Sequence, residues 1–474
     1  MKMNTEILDT FPKIEESLVD QMLAEEIAKS KKKIVVLDDD PTGVQTVNGV
    51  SVYTDWEKES ILKAFQEESS LFFILTNSRG FTVDQTTKAH HEIAEAVAYA
   101  AEQTKQEYLF VSRGDSTLRG HYPLETEILK EDYEKYTGNT VDGEILCPFF
   151  KEGGRFTIGN IHYAKYDDEL IPVCETEFAK DKTFGYTALT MPEYVEEKTN
   201  GMYTADTVVC ITLEELRSVD VEGIEKKLLE ISGFRKIIVN AVDYADIKVF
   251  CIALYRAMEK GKNFMFRTAA AFVRVLGGIQ EKPLLTREEM VTRETANGGV
   301  IVIGSHTAKT SRQLELLREL KEIEFIELDV AMVNDSAAFE AEVARCLKME
   351  EECVRSGRTV CCYTSRKLFT AESGNKEDHL RLSVKISDAV QSLVGRLDVT
   401  PAFVIAKGGI TSSDVGTKAL RVKRATVLGQ IKPGIPVWQT GDESKFPQIP
   451  YIIFPGNVGE DLTLKEAVQV LMKK

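Results

Sequence analysis

The chain alternates short runs of β-branched and aromatic residues with longer stretches whose apolar positions recur at helical spacing. In the first half the short runs fall at 34–38 (IVVLD), 50–54 (VSVYT), 71–76 (LFFILT), 108–112 (YLFVS), 144–149 (EILCPF), 208–212 (VVCIT) and 236–241 (KIIVNA). Between the third and fourth, the stretch 84–103 puts Ala89, Ile93, Val97 and Ala100 on one helical face, as expected of a crossover between parallel strands. From Gly277 to Gly299 the periodicity lapses while charge and glycine accumulate, which predicts a linker centred on 286–297. The alternation then resumes at 300–305 (VIVIGS), with a helix expected over Thr310–Ile323. Further runs follow at 325–330, 359–365, 402–409, 425–431 and 451–456. The pattern predicts two α/β domains joined once, residues 1–285 with a parallel sheet and residues 298–474.

Length and charge narrow the class. At about 150 residues per domain, 474 residues suit two or three domains. No run approaches the roughly 18 to 20 apolar residues that span a bilayer, and the N-terminal segment lacks the apolar core of a signal peptide, so a cytoplasmic protein without a membrane partner is expected. A formal charge of −16 argues against a nucleic-acid partner, because duplex binding relies on a basic face. It leaves room for an anionic small molecule held by a few local cations. The eight cysteines include no CxxC pair and several sit in apolar runs, which predicts buried thiols in a reducing compartment.

Ligands of open α/β sheets bind at the carboxyl ends of strands, so the residues after each run carry the most information. After 34–38 come Asp38, Asp39, Asp40, Pro41, Thr42 and Gly43; after 71–76 come Asn77, Ser78, Arg79 and Gly80. The fourth run leads into Arg113, Gly114, Asp115, Ser116, Thr117, Leu118, Arg119, Gly120 and His121, and the fifth into Lys151, Glu152, Gly153, Gly154 and Arg155. The carboxylates suit a metal or the proton of a hydroxyl, and Arg79, Arg119, Lys151 and Arg155 suit a carboxylate substrate. One such loop would read as a turn; four at successive strand ends read as a site. By contrast, HHEIAE (90–95) lacks the second His of a zinc-protease helix and is expected on a solvated face, as is Lys31–Lys33.

In the second half glycine takes over. Gly304, Ser305, His306 and Thr307 follow one strand; Gly408, Gly409, Ile410, Thr411, Ser412 and Ser413 another; Gly456, Asn457, Val458 and Gly459 a third. Each reads as strand, small-residue turn and helix N-terminus, where exposed N–H groups favour a phosphate. Three such turns suggest a nucleotide, although none matches the dinucleotide GxGxxG or the GxxxxGK[ST] loop.

Taken in order and spacing, LDDDPTGVQTV, TNSRG, SRGDSTLRGHYPLE, CPFFKEGGR, IGSHTAKTSRQ, AKGGITSSDVGTKAL, VLGQIKPGIPVW and PGNVGEDLTLKEA resemble the four-carbon acid sugar kinase family from about residue 34 to the C-terminus. The resemblance implies an N-terminal domain that binds a small-molecule acid such as threonate, erythronate or a 3-oxo relative. It further implies a C-terminal domain of unusual fold that binds ATP with Mg²⁺, and phosphorylation of the terminal 4-hydroxyl. Asp39 and Asp40 fall on the family's paired Asp, before the turn at Thr42 and Gly43. Arg79 falls on its Arg after Thr-Asn, Asp115 and Ser116 on its Asp-Ser-Thr, and Arg155 on its Gly-Arg. Ser305 falls on its Gly-Ser turn, Gly408 to Thr411 on its Gly-Gly-x-Thr loop, and Gly456, Asn457 and Gly459 on its Gly-Asn-x-Gly loop. Asp39 and Asp115 both fit the base; Asp40, Thr42, Arg79, Ser116, Arg119, Lys151 and Arg155 are the expected acceptor-binding residues. Ser305, Gly408, Gly409, Ile410, Thr411, Gly456, Asn457, Val458 and Gly459 are expected at the nucleotide. Asp-Pro-Thr-Gly-Val-Gln stands where many members read Asp-Phe-Thr-Gly-Ala, and Leu-Arg-Gly-His where many read Asn-Ile-Gly, so the choice of acid stays open. A homo-oligomer is compatible with this reading. A non-catalytic sensor of sugar acid and nucleotide is the rival, disfavoured because a pure binding module needs no base.

Overall fold

Strand formation follows the apolar runs. In the computed structural model, which describes residues 2–293, 295–366, 376–456 and 458–472, the strands Lys33–Asp38, Leu71–Leu75, Tyr108–Arg113 and Gly143–Cys147 are buried along their whole length. The chain divides into two compact units, Met1–Gly43 with Asp55–Glu281, and Val44–Thr54 with Lys282–Lys474. Both are α/β, as the alternation predicts, and each is built on a largely parallel sheet.

In the first unit seven parallel strands lie in the order Val209–Ile211, Arg235–Val239, Gly143–Cys147, Phe264–Thr268, Tyr108–Arg113, Lys33–Asp38, Leu71–Leu75. Parallel pairing puts all their carboxyl ends on one rim. The Phe264–Thr268 strand, absent from the sequence reading because Arg267 interrupts a short apolar run, is central and joins the two halves of the sheet. Helices Lys58–Gln66, Val83–Thr104 and Leu124–Thr137 pack in one row, and Glu16–Lys29, Val221–Leu229, Tyr244–Glu259 and Ala270–Leu276 in another. A separate antiparallel sheet of Arg155–Ile158, Ile161–Tyr166, Glu169–Pro172 and the short Met3–Asn4 follows the Gly143–Cys147 strand.

Two expected solvated stretches are buried in part. His90 is 1% exposed and its Nδ1 lies 2.8 Å from the Thr86 carbonyl, while His91 pairs with Asp132 at 2.6 Å. Lys33 opens a strand, so its stem is buried and its head donates to the carbonyls of Glu67 (2.8 Å) and Ser69 (2.5 Å).

The second unit's sheet runs Val50–Tyr53, Arg424–Lys432, Ile435–Thr440, Pro450–Phe454, Val404–Lys407, Val300–Ile303, Thr359–Thr364, Ile323–Leu328. The last five are parallel and the first four antiparallel. The run at 50–54, read with the first half, thus forms a strand of the second unit, pairing Val50–Tyr53 with Arg424–Val427. Its place is set by a partner strand almost four hundred positions away, which local pattern cannot register. The helix expected over Thr310–Ile323 is Ala308–Leu317, capped by Thr307, and Ile323 already begins the edge strand.

The first unit also buries an ion pair within its sheet. Lys236 Nζ lies 2.6 Å from Glu144 Oε2 with both side chains inaccessible, and it also sits 3.6 Å from the Phe234 ring centroid. Removing one partner strands a buried charge, so Lys236→Met is expected to lower stability by about 3 to 5 kcal/mol, whereas Lys236→Met with Glu144→Leu recovers most of it. Urea denaturation of the three proteins checks this; equal losses in the single and double variants would contradict it.

Candidate functional site

On the first unit's rim, the chain leaves the Lys33–Asp38 strand through a turn written by Asp40. Its Oδ1 accepts from Thr42 N (2.8 Å) and Thr42 Oγ1 (2.5 Å), and Gly43 N donates to the Asp40 carbonyl (3.0 Å). Side-chain mimicry of this kind is how Asx turns form. Gly43 is required there, because a Cβ would lie 2.0 Å from Asp38 Oδ2. The neighbouring strand end is clipped on by Thr76 N to Asp38 O (2.9 Å), and Asn77 takes the left-handed conformation (φ 55°), turning Arg79 back toward the carboxylates.

Arg79 grips Asp39 with a two-pronged fork, Nε to Oδ2 at 3.1 Å and Nη2 to Oδ1 at 2.6 Å, while Nη1 donates to Asp40 Oδ2 at 3.1 Å and lies 4.0 Å from Asp115 Oδ1. Arg113 Nη1 donates to Asp38 Oδ1 (3.0 Å). Arg119 Nε donates to Asp115 Oδ2 (2.8 Å), which also accepts from the Thr117 hydroxyl. Behind them Arg267 Nη1 bridges Ser112 Oγ (2.9 Å) and Glu125 Oε2 (2.5 Å), and its Nη2 donates to the Arg119 carbonyl (3.1 Å). Gly114 and Gly120 make room for it: a Cβ at either would stand 2.3 or 2.5 Å from the Arg267 guanidinium. The expected residues Asp39, Asp40, Thr42, Arg79, Asp115 and Arg119 are therefore in one hydrogen-bonded cluster. Asp38, which the sequence reading counted among the strand-end carboxylates, joins it, as do Arg113, Glu125 and Arg267, to which that reading assigned no role. A charged residue inside an apolar strand, as in FMFRT, was the available signal for Arg267.

Burial and pairing divide the carboxylates. Burial pushes Asp38 up to about 7 against the pull of Arg113, and raises Asp39 despite Arg79. At Asp40 burial is overcome by Arg79 and the Thr42 hydrogen bonds, and the carboxyl ends below its ordinary value. At Asp115 burial is overcome more strongly by Arg79 and Arg119, which hold it well below the usual carboxylate range.

The antiparallel sheet braces the loop that carries Asp115. His162 Nε2 lies 2.8 Å from the Ser116 carbonyl and its Nδ1 2.9 Å from Thr157 Oγ1, while Tyr186 and Tyr194 donate to the carbonyls of Thr117 (3.2 Å) and Leu118 (2.9 Å). Ser116 is half-buried and is held through its backbone. Arg155 and Arg119 both rest against Phe178, at 5.3 and 5.2 Å from its ring centroid. Lys151 stands apart. It pairs with Asp243 at 2.6 Å and lines a cavity of about 540 Å³ with Tyr244, Lys248 and Arg274, and among the described residues it makes no ion pair or hydrogen bond with the aspartate cluster.

In the second unit, Pro450–Phe454, Val404–Lys407 and Val300–Ile303 are parallel neighbours, so their three small-residue turns meet at one rim. Thr310 Oγ1 donates to Ser305 Oγ (3.0 Å) and to the Gly456 carbonyl (3.3 Å), and a Cβ on Gly456 would stand 3.5 Å from Ser305 Oγ. A Cβ on Gly304 would fall 2.4 Å from Thr411 Oγ1, and Gly408 adopts φ 126°, open to glycine. Gly409 faces open space and Ile410 is 74% exposed, while Val458 presents its carbonyl to Gln313 (3.3 Å) and Gly459 takes φ 83°. Asn457 lies outside the described residues. Lys407 and Arg366 were missed. Lys407 is fully buried and donates to the carbonyls of Pro455 (2.7 Å) and Gly456 (3.3 Å); burial lowers its pKa to about 7, aided by Lys309. Arg366 ties the Ser305 carbonyl (2.7 Å) to Ser311 Oγ (2.6 Å). A cradle in which Gly304 and Gly408 leave no room for a Cβ, ringed by hydroxyls, fits a phosphate. No group of three or more His, Cys, Asp or Glu side chains placed to hold a metal ion occurs among the described residues.

Comparison with known proteins agrees with this division. A sugar-binding N-terminal domain model matches residues 34–276 and a nucleotide-binding C-terminal domain model matches 300–464. The chain belongs to the four-carbon acid sugar kinase family. Protein HI1011 of Haemophilus influenzae, from the DUF1537 family, shares its fold at 17% identity and a TM-score of 0.61, over 92% of this chain and all of that one. A Salmonella typhimurium LT2 protein put forward as a tRNA synthase is similar at 14% identity and a TM-score of 0.64, over 93% of this chain and 99% of its own. No curated protein matches the sequence. Among the described residues, no helix is long and apolar enough to cross a membrane.

For this family member His162 supplies a pH test. Burial depresses it from the ordinary 6.5 to about 4, so in that window the unfolded chain takes a proton that the folded protein refuses. Its stabilising effect is complete above about 6.5 and lost as pH falls toward 4, about 3 kcal/mol in all. Unfolding midpoints followed from pH 7 to 4.5 are expected to fall less steeply in His162→Gln; identical slopes would refute the assignment.

Proposed function

We propose that the protein is an ATP-dependent kinase that phosphorylates the terminal hydroxyl of a four-carbon sugar acid, held by the first unit's rim while the second unit's rim holds the nucleotide. The observation that carries this reading is the pairing of a buried carboxylate and guanidinium cluster in the sugar-binding domain with a Cβ-free cradle in the nucleotide-binding domain. Phosphoryl transfer asks the protein for alignment, cations and one base. When bound, Mg-ATP would supply the phosphoryl group.

Asp39 is the better proton acceptor of the two candidates. A base works best with its pKa drawn toward the operating pH, and Asp39 is raised whereas Asp115 is pulled down by two guanidiniums. Asp115 instead orients Arg119 and steadies Arg79. Gly304, Ser305 and Gly456 would present backbone and hydroxyl donors to phosphate oxygens, Gly408, whose N–H is bonded to the Phe454 carbonyl, would let the phosphate approach closely, and the buried Lys407 holds the Gly456 turn in place.

An ADP-release assay against a panel of four-carbon sugar acids is expected to show turnover with at least one; none across the panel, with the protein folded, overturns the reading. In Asp39→Asn kcat is expected to fall by about 10² to 10⁴ with little change in sugar KM. Gly408→Val, which strains a left-handed position in the cradle, should raise the KM for ATP and spare that for the acid. Wild-type kcat in Asp39→Asn at saturating substrates would remove Asp39 from the role of base.

A further inference from the structure

Glu125 is a buried carboxylate in the first turn of the Leu124–Thr137 helix, and phosphoryl transfer as described above gives it no part. Its Oε1 accepts from the Ser78 hydroxyl (2.7 Å), and its Oε2 from the Ser112 hydroxyl (3.3 Å) and from Arg267 Nη1 (2.5 Å). The three partners come from three strand ends. Ser78 directly precedes Arg79, and Ser112 directly precedes Arg113. Arg79 and Arg113 are the guanidiniums that flank Asp39 Oδ1, at 2.6 and 3.6 Å. One carboxylate is thus tied to Arg267 and to the residues that carry the other two cations facing Asp39.

Arg267 stands between two carboxylates. Nη1 is on Glu125, while a Cβ on Gly120 would lie 2.5 Å from Nη2 and 3.3 Å from Asp39 Oδ2, so only the space of one absent methyl group separates that nitrogen from Asp39. Burial would raise Glu125, but Arg267, His90 and the Ser78 hydroxyl overcome it and draw the carboxyl down to about 2, so it is ionised. His90, with Nε2 3.9 Å from Glu125 Oε1, is lowered by burial and stays neutral near pH 7. Asp39 therefore feels Asp38 and Asp40 on its own segment, Arg79 and Arg113 from the flanking strand ends, Asp115 beyond Arg79, and the Arg267–Glu125 pair from behind. His121 and Tyr194 also face that pair.

We infer that Glu125 is a positioning residue that sets the basicity of Asp39: its carboxylate neutralises Arg267 and, through Ser78 and Ser112, fixes how Arg79 and Arg113 approach. The inference rests on the reading of Asp39 as the base and deepens it. An unpaired guanidinium this close behind a carboxylate favours the ionised form and makes it a poor acceptor for a hydroxyl proton. With Glu125 on its other side, the charge of Arg267 is largely cancelled at Asp39. Arg267 can then fill the space left by Gly114 and Gly120 and hold the Arg119 carbonyl without disabling the base.

The test removes the two charges singly and together in the full chain and reads Asp39 in two ways. One is the pH dependence of kcat in the ADP-release assay with threonate and erythronate. The other is NMR titration of isotope-labelled aspartate carboxyls, with the Asp39 signal assigned by its loss in Asp39→Asn. Glu125→Gln keeps shape and polarity but leaves Arg267 uncompensated, so the acid limb of kcat and the Asp39 titration are both expected to move about one unit to lower pH. Arg267→Met leaves the Glu125 anion instead, and both should move upward by about half a unit, since His90 beside Glu125 can take up part of the charge. The double variant is expected to return close to the wild type. If Glu125→Gln does not fold, the step from Arg267→Met to the double variant removes the same charge and should show a downward move of about half a unit. A Glu125 that merely braces its helix would lower stability and leave the Asp39 titration in place; that result, or shifts of the same sign in the two single variants, overturns the inference. If the Asp39 titration moves as expected while the acid limb stays, or while neither acid releases ADP, the coupling stands and the reading of Asp39 as the base of a kinase falls. ADP release with an Asp39 titration indifferent to Glu125 has the reverse meaning.

Discussion

The fork from Arg79 to Asp39, with its third nitrogen on Asp40, is the contact on which the first unit's rim depends. Three consecutive aspartates end a strand that is buried along its length, so their charges are taken out of water by the same packing that forms the sheet. Such charges are tolerated only with partners in good geometry, and each strand end beside them supplies one: Arg79 from one neighbour and Arg113 from the other, with Arg267 behind. The glycines at 43, 114 and 120 follow from that constraint, since a Cβ at any of them would occupy space held by a carboxylate or a guanidinium.

Rigidity of this sort has a chemical use. Opposed shifts in Asp39 and Asp115, one raised by burial and the other drawn down by two arginines, give neighbouring carboxylates different capacities on one rim. The antiparallel sheet adds a second layer of support. Through His162, and with Tyr186 and Tyr194 from the segment that follows it, the backbone of residues 116–118 is held without using their side chains, which steadies the loop between Asp115 and Arg119.

The second unit solves a different problem with smaller parts. Its rim carries little charge; it is shaped by missing Cβ atoms and by a hydroxyl relay from Thr307 through Thr310 to Ser305. Lys407 and Arg366 are the exceptions: Arg366 ties down the Ser305 carbonyl, and Lys407 is buried to brace the carbonyls of Pro455 and Gly456, where that burial, with Lys309 nearby, lowers its pKa. Backbone donors held this way suit a polyanion whose shape matters more than its side-chain contacts.

Much of this was legible in the order of residues. Apolar runs bounded by Asp, Gly and Arg mark strands and their carboxyl ends by local physics alone, so the α/β class and most cluster residues could be read directly. Three features could not. Arg267 sits in a run too short and too polar to signal a strand, and its importance comes from two strands that flank it in space. Lys151 follows a strand end like the others, yet the Asp243 carboxylate at the start of the Tyr244–Glu259 helix claims it. Residues 50–54 form the strand their composition dictates, in the second unit's sheet rather than the first, because strand pairing is decided between segments hundreds of residues apart. The sequence by itself determined which segments are strands, where each ends and what chemistry stands there. Only the tertiary structure decided which guanidinium meets which carboxylate, because burial and pairing depend on neighbours that no local pattern encodes.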